Sequence, residues 1–132
     1  MAYRRELPAA AQKHLKDADL LHGAERYDHA GYHYGMAAEC ALKGAFVNLG
    51  QRKIAEDSGA YYQHFPELKA AASALAGRLS HRIFAMLNRS NFMQEWHFSI
   101  RYAADRSIDQ LRCEQWRKQA REFVIACAEL EG

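Results

Sequence analysis

The chain has 132 residues, 49% of them hydrophobic and 26% charged, and a formal net charge of +2 at pH 7. A chain of this length can bury a core large enough to fold as one domain, residues 1–132, and its composition excludes a disordered protein. The small net charge excludes a strong global field for nucleic acid, so that function would need a local basic patch.

Two helices are predicted in the first part of the chain. Pro8 suits the first turn of a helix, and apolar residues recur at helical spacing from Ala11 to Gly23. Asp28 is expected to cap a second helix, whose wide apolar stripe ends near Gly50, a residue that favours the C-terminal cap.

The second predicted helix has small residues on one side. Gly31, Gly35 and Ala38 carry little or no side chain there, although each glycine lowers the helix propensity. We therefore expect a neighbouring helix to pack closely against this side.

The middle of the chain is interrupted twice. Residues 51–65 show no sustained period and are expected to form a loop, with room for a short helical piece, before Pro66 opens a third helix. An apolar stripe then runs from Leu68 to Met86 with Gly77 inside it, so the segment is either one kinked helix or two.

The last predicted helix follows an irregular aromatic stretch over residues 92–104. Ser107 to Gln110 has the form of a capping box, which places the start of this helix there. One face is apolar and consists of Cys113, Trp116, Ala120, Phe123, Cys127 and Leu130. The other face carries Arg112, Arg117, Lys118 and Arg121. These cations either contact phosphates or form an ordinary solvated face, since acidic residues are interleaved with them.

No segment alternates in the manner of a strand, and no repeat is present. The pattern predicts an all-α fold, an up-and-down antiparallel bundle of four to five helices. The cysteines Cys40, Cys113 and Cys127 lie in apolar helical patterns without CxxC spacing and are expected to be reduced core thiols of a cytoplasmic protein. No apolar run approaches the roughly 18 residues of a membrane span, and no signal peptide is expected.

Four segments resemble the HEPN family of small prokaryotic helical domains. Residues 14–19 (HLKDAD) and 30–43 (AGYHYGMAAECALK) look like the family pattern in the first two helices. Residues 64–68 (HFPEL) and 96–102 (WHFSIRY) are similar to its later landmarks. The resemblance thus extends from about Ala10 to the last helix.

The resemblance implies a helical bundle that frequently forms homodimers and frequently pairs with a nucleotidyltransferase-type protein in toxin–antitoxin or defence modules. It also implies RNA or nucleotide as a ligand. Active members resemble one another in an Arg followed, after four to six residues, by a His in the C-terminal half. Here seven residues separate Arg89 from His97, and Arg26 and His33, with six between them, lie at the start of the second helix. The ribonuclease motif is therefore not intact.

Metal-free RNA cleavage needs a base for the 2′-hydroxyl proton and cations for the phosphate charge, and an imidazole beside arginines provides both. His97 with Arg89 and Arg101 is the candidate catalytic set. Trp96 and Tyr102 are candidates for stacking on bases. The alternative is that both rings are core anchors and that Arg101 pairs with a carboxylate.

A second group of candidates lies on the second helix. Glu39 and Lys43 are four residues apart in the orientation that favours an ion pair, and Tyr32, Met36 and Phe46 flank them on the same side. This stripe is either a subunit interface or ligand-lining face, or an ordinary surface pair beside partly buried aromatics. His64, just before the Phe-Pro step, is a further candidate ligand residue.

Metal and cofactor chemistry is not expected. His29 and His33 stand one helical turn apart, but zinc needs a third ligand and no HExxH or CxxC context accompanies them. The remaining histidines His14, His22 and His81 are expected to be structural or solvent-facing. No Gly-rich phosphate loop or nucleophile elbow is present, which excludes kinases, dinucleotide enzymes and serine hydrolases.

Three functions remain open. The leading hypothesis is a binding or interaction module, not an enzyme. The second is a metal-independent endoribonuclease with a divergent site, in which His97, Arg89 and Arg101 must converge on one cleft. The third is a structural helical subunit, which would show a large apolar interface and no basic cleft.

Overall fold

The computed structural model describes residues 4–48, 50, 53, 56, 63–76 and 80–130. Five α-helices and one 3-10 helix follow one another in this part of the chain. They are α1 (Leu7–Gly23), α2 (Tyr27–Asn48), α3 (Glu67–Ala76), α4 (His81–Leu87), the 3-10 helix (Phe98–Tyr102) and α5 (Gln110–Glu129). No strand occurs among the described residues, so the predicted all-α bundle is confirmed.

The long helices α1, α2 and α5 form the frame of the bundle. α1 and α2 are antiparallel, because Gly44 near the end of α2 packs against Pro8 at the start of α1. α5 runs parallel to α2, since its first half packs on Gly31 and its second half lies beside Ala41. The sequence predicted four long helices, and the frame has three.

The first two helices begin and end close to the predicted residues, but the predicted cap at Asp28 is wrong. α2 begins at Tyr27, so Asp28 lies in its first turn. Its carboxylate instead accepts hydrogen bonds from the backbone N–H groups of Ile108 at 2.6 Å and Ser107 at 3.3 Å. These amides have no helical partner of their own, so Asp28 ties α2 to the segment that leads into α5.

Beyond α2 the backbone takes the turn that glycine favours. Gly50 has φ +72° and donates its N–H to the carbonyl of Val47, as expected of a C-terminal cap. Most of the predicted loop over residues 51–65 lies outside the described residues. The Phe65–Pro66 peptide bond is cis, and α3 begins directly after Pro66, as predicted.

The third apolar stripe is divided between two helices. Ser80 is extended, with φ −168° and ψ 152°, and its hydroxyl accepts a hydrogen bond from the N–H of Ile83 as the N-cap of α4. Gly77 lies outside the described residues. Because the extended Ser80 begins a new helix, the stripe forms two helices, α3 and α4, and not one kinked helix.

The start of α5 also differs from the capping box predicted at Ser107. Asp109 is the N-cap, and its carboxylate accepts from the N–H of Arg112 at 2.8 Å. The Ser107 hydroxyl instead donates to the carbonyl of Ala104. The helix therefore starts two residues later than the capping box predicts.

The predicted apolar face of α5 is confirmed. Cys113, Trp116, Ala120, Phe123 and Cys127 are buried, and Leu130 packs against the same core. All three cysteines are free thiols. Burial raises the pKa of Cys113 to about 12 and that of Cys40 to about 11, so both stay protonated. None of the described helices is both long and apolar enough to cross a membrane.

Asp19 connects the three long helices. Its carboxylate accepts from the hydroxyl of Tyr34 at 2.6 Å, from Arg121 at 2.8 Å and from Arg117 at 3.4 Å. Burial opposes its ionisation, but the Tyr34 hydrogen bond and the two guanidinium charges outweigh that effect and hold the pKa of Asp19 below its usual value. Two cations of the predicted basic face are therefore engaged within the bundle.

Candidate functional site

Trp96 positions the candidate site by docking on α2. It is 1% exposed, and its indole N–H donates to the carbonyl of Gly31 at 2.9 Å. A Cβ at Gly35 would lie 1.9 Å from the same indole, so only glycine admits this ring. Gly31 accommodates Trp116 of α5 in the same way, with a Cβ distance of 2.8 Å. The predicted close approach of a helix is confirmed at Gly31, where α5 brings in Trp116, whereas the ring at Gly35 comes from a segment that is not helical.

Glu39 of α2 holds His64 and Phe65, which precede α3, by hydrogen bonds. It is 1% exposed and accepts hydrogen bonds from the N–H of Phe65 at 2.6 Å and from Nδ1 of His64 at 2.8 Å. Burial raises the pKa of the Glu39 carboxyl, while its hydrogen bonds to His64 and Phe65 oppose that rise. Within the described chain its hydrogen bonds go to these partners and not to Lys43, so the predicted ion pair is wrong.

Lys43 and Met36 lie on the same helix without joining this contact. Lys43 is partly buried, and burial lowers its pKa although the charge of Glu39 acts in the opposite direction. Met36 is partly buried and packs against the core. Because both side chains are partly buried, neither exposes its whole length to a ligand.

Three rings lie side by side where the 3-10 helix begins. The ring of Phe98 contacts the rings of both His64 and His97, each with a centroid distance of 5.0 Å. His97 is the N-cap of the 3-10 helix, and its Nδ1 accepts the N–H of Ser99 at 3.1 Å. No sequence pattern singles out Phe98, because the stretch around it has no helical period.

The hydrogen bonds give the two imidazoles opposite tautomers. Nδ1 of His64 faces the Glu39 carboxylate and carries its proton, which leaves Nε2 of His64 as an acceptor. Nδ1 of His97 accepts a backbone N–H, so its proton lies on Nε2. The cluster therefore offers one acceptor and one donor.

Arg101 lies between two tyrosine rings. Its guanidinium carbon is 5.4 Å from the ring centroid of Tyr32 and 5.2 Å from that of Tyr102, and it donates to the Tyr32 hydroxyl at 3.3 Å. The ring of Tyr32 also stacks with that of Trp96, with a centroid distance of 6.2 Å. Among the residues that the structure describes, Arg101 therefore has aromatic partners and not the carboxylate that was one of the two alternatives.

Trp96 and Tyr102 have different environments. The Trp96 ring is closed in by Tyr32 and Gly35, so it is a core anchor and cannot stack on a base. Tyr102 is 74% exposed, which rules out the core alternative for that ring. We call the accessible group the ring surface, and it consists of Tyr32, His64, His97, Phe98, Arg101 and Tyr102.

Arg89 does not belong to the ring surface. It lines a separate cleft between residues 88–95 and α5, and neither His97 nor Arg101 lines that cleft. The convergence that the predicted Arg89, His97 and Arg101 set requires is therefore not observed.

Metal-ligating residues are not brought together. His33 lies against His14 of α1, with their Nδ1 atoms 2.9 Å apart, and not in a pair with His29. No group of three or more His, Cys, Asp or Glu side chains in the described part of the chain is arranged to hold a metal ion.

Comparison with known proteins identifies a domain family. The model of the HEPN domain family matches residues 5–130, nearly the whole chain. Neither the curated proteins nor the solved structures gave a significant match. With an all-helical fold and a family match of this extent, the chain belongs to the HEPN domain family.

Proposed function

We propose that this HEPN domain is a binding module that takes up single-stranded RNA across the ring surface. The observation that carries the proposal is the exposure of Tyr102, 74%, beside the guanidinium of Arg101. Exposed aromatic rings next to cations are what unpaired bases and their phosphates require. A purely structural subunit has no need of this arrangement.

The rest of the ring surface fits the same ligand. His64, Phe98 and His97 present adjacent rings, and the two imidazoles offer an acceptor and a donor that can pair with base edges. The surface is preformed, because Glu39 and Trp96 fix its two sides on α2. Little ordering is then needed on binding.

The proposed setting is a cytoplasmic toxin–antitoxin or defence module. In that setting the domain forms a homodimer or pairs with a nucleotidyltransferase-type protein, and membership of the HEPN family supports this part of the proposal. Light scattering of the purified chain tests the homodimer, and co-purification with a co-expressed nucleotidyltransferase-type protein tests the pairing.

Fluorescence anisotropy with a labelled single-stranded RNA tests the binding function. The substitution Tyr102→Ala removes one stacking ring. Stacking is worth about 1–3 kcal/mol per base, so the affinity should fall at least about fivefold. Leu111→Ala is the control, because Leu111 is 70% exposed but lies on α5 outside the ring surface. Equal affinities for the two variants would contradict the proposal.

A second candidate is a metal-independent endoribonuclease, favoured by the opposite tautomers of His64 and His97. In this reading Nε2 of His64 takes the 2′-hydroxyl proton, the 2′-oxygen bonds to phosphorus as the bond to the 5′-oxygen breaks, and Nε2–H of His97 hydrogen-bonds to the leaving 5′-oxygen, which takes its proton from water. The test is cleavage of RNA in EDTA by the wild-type protein, His64→Ala and His97→Ala. Cleavage that both substitutions abolish establishes the enzyme, and RNA binding without cleavage supports the module.

A further inference from the structure

A polar cleft of about 470 Å³ lies between residues 88–95 and the outer side of α5. We call it the α5 cleft. Its lining is entirely polar and consists of Arg89, Asn91, Gln94, Arg112, Gln115, Lys118, Gln119 and Glu122. None of these residues belongs to the ring surface, so the two sites are independent.

The α5 cleft concentrates positive charge that the fold itself does not use. Three cations, Arg89, Arg112 and Lys118, face one carboxylate, Glu122. Arg112 is held by Glu95 at 3.0 Å. In the part of the chain that the structure describes, no carboxylate lies within salt-bridge distance of Arg89 or Lys118.

Other cations of the same helix are already engaged. Arg117 and Arg121 contact Asp19, and Arg117 also contacts Glu114 at 3.0 Å. The excess positive charge of α5 is thus confined to the side that faces the cleft. The basic face predicted from the sequence therefore has two parts. Arg117 and Arg121 pair within the bundle, and Arg112 and Lys118 line the α5 cleft.

The loop that forms the other wall is held in a costly conformation. Met93 and Glu95 have φ of +50° and +66°, a region that residues other than glycine rarely adopt. Side chains of α5 hold this loop in place. Gln119 accepts from the N–H of Met93 at 2.8 Å and donates to the carbonyl of Asn91 at 2.7 Å.

A second set of contacts fixes the same loop. The indole of Trp116 donates to the carbonyl of Gln94 at 3.0 Å, and Lys69 of α3 donates to the carbonyl of Arg89 at 2.8 Å. The cleft is therefore formed before any ligand arrives. A preformed site with unpaired cations and carboxamide donors matches the oxygens of a phosphate group.

We propose that the α5 cleft binds a phosphate group of its ligand. The guanidinium of Arg89 and the ammonium of Lys118 contact the phosphate oxygens, and the carboxamides of Gln94 and Gln115 supply further donors. The phosphate has two possible sources, a free nucleotide or the backbone of an RNA strand. The chemistry of recognition is the same for both.

The test is the affinity for inorganic pyrophosphate, for a mononucleotide and for an oligouridine RNA, measured by calorimetry at low ionic strength, where charge contacts are least screened. The cleft variant is Arg89→Ala with Lys118→Ala. Its control is Lys13→Ala with Lys16→Ala, which removes the same charge from two exposed lysines of α1. Because the cleft variant loses charge-assisted hydrogen bonds to the phosphate, we expect at least a tenfold loss of affinity in the cleft variant and none in the control.

The three probes identify the source of the phosphate. Loss of pyrophosphate and mononucleotide binding in the cleft variant assigns the cleft to free nucleotides, and loss confined to the oligouridine assigns it to the RNA backbone. The proposal is overturned if no probe binds the wild-type protein, or if cleft variant and control bind alike. Tyr102→Ala separates this result from the ring-surface proposal, because it leaves pyrophosphate binding unchanged.

Discussion

The rings of His14 and His33 point at each other across the interface of α1 and α2, with their Nδ1 atoms 2.9 Å apart and their centroids 5.1 Å apart. One nitrogen must donate and the other accept, so the pair shares one proton. Burial lowers the pKa of both imidazoles, and the charge of Asp17 opposes this shift at both. Lys13 lowers the pKa of His14 further, and His29 lowers that of His33 further.

This pair makes stability depend on pH on the acid side of neutrality. The unfolded chain takes up protons at its ordinary histidine pKa, about 6.5, whereas the folded pair does so only at lower pH. Stability is therefore complete above about pH 6.5 and falls below it. Urea unfolding at pH 7.5 and pH 5.5 should show a smaller loss in His14→Gln than in the wild type.

His81→Gln is the matched control for that measurement, because His81 is exposed on α4. It should keep the pH dependence of the wild type. If His14→Gln and His81→Gln respond alike to pH, the proton-sharing pair is not the cause.

Gly35→Ala should destabilise the domain by about 3 kcal/mol, because the added methyl would stand 1.9 Å from the buried Trp96 ring. Gly23→Ala meets nothing within 4 Å and should leave the free energy of unfolding unchanged or raise it by less than about 1 kcal/mol. Chemical denaturation measures both. Equal stability of the two variants would show that the Trp96 ring does not pack against Gly35.

Glu39→Gln should invert the tautomer of His64. The amide oxygen can still accept the N–H of Phe65, but its nitrogen must donate to Nδ1 of His64, so the imidazole proton moves to Nε2. Nitrogen NMR of the histidine side chains measures this directly, with His97 as the internal reference. A wild-type His64 with its proton already on Nε2 would refute the assignment.

Asp109→Ala should cost about 1 kcal/mol, because it removes the N-cap of α5, whereas Ser107→Ala should cost less. Thermal unfolding of the two variants distinguishes the observed helix start from the one that the sequence pattern favours. A larger loss for Ser107→Ala would restore the capping box.

The bundle could be predicted because helical periodicity and the terminal Pro and Gly positions are local signals. The hydrogen-bond partners of Asp28 and Ser107 could not be predicted. Asp28 accepts from residues 107 and 108, which are distant in sequence, and the Ser107 hydroxyl donates to Ala104, outside α5. The pattern over residues 30–43 paired Glu39 with Lys43 on a stripe expected at an interface or at the surface, whereas Glu39 is buried. It could not show that a residue from a separate loop, His64, would be the partner in preference to Lys43 one turn away.

For the same reason, only part of the candidate site could be predicted from the sequence. Arg101, Tyr102 and His97 lie in one continuous segment, and the structure keeps them together. Arg89 lies on a loop whose course depends on Gln119 and Trp116 of α5, and no spacing rule along the chain encodes those contacts.

The chain has two tryptophans, and each is seated in a glycine notch of α2 at 1% exposure. One reports on the segment that carries the ring surface and the other on α5, so the protein contains its own optical probe. In a Trp116→Phe background the emission of Trp96 alone follows whether that segment stays docked. A shift to longer wavelength marks its release, and acrylamide quenching gives the fraction released without any added dye.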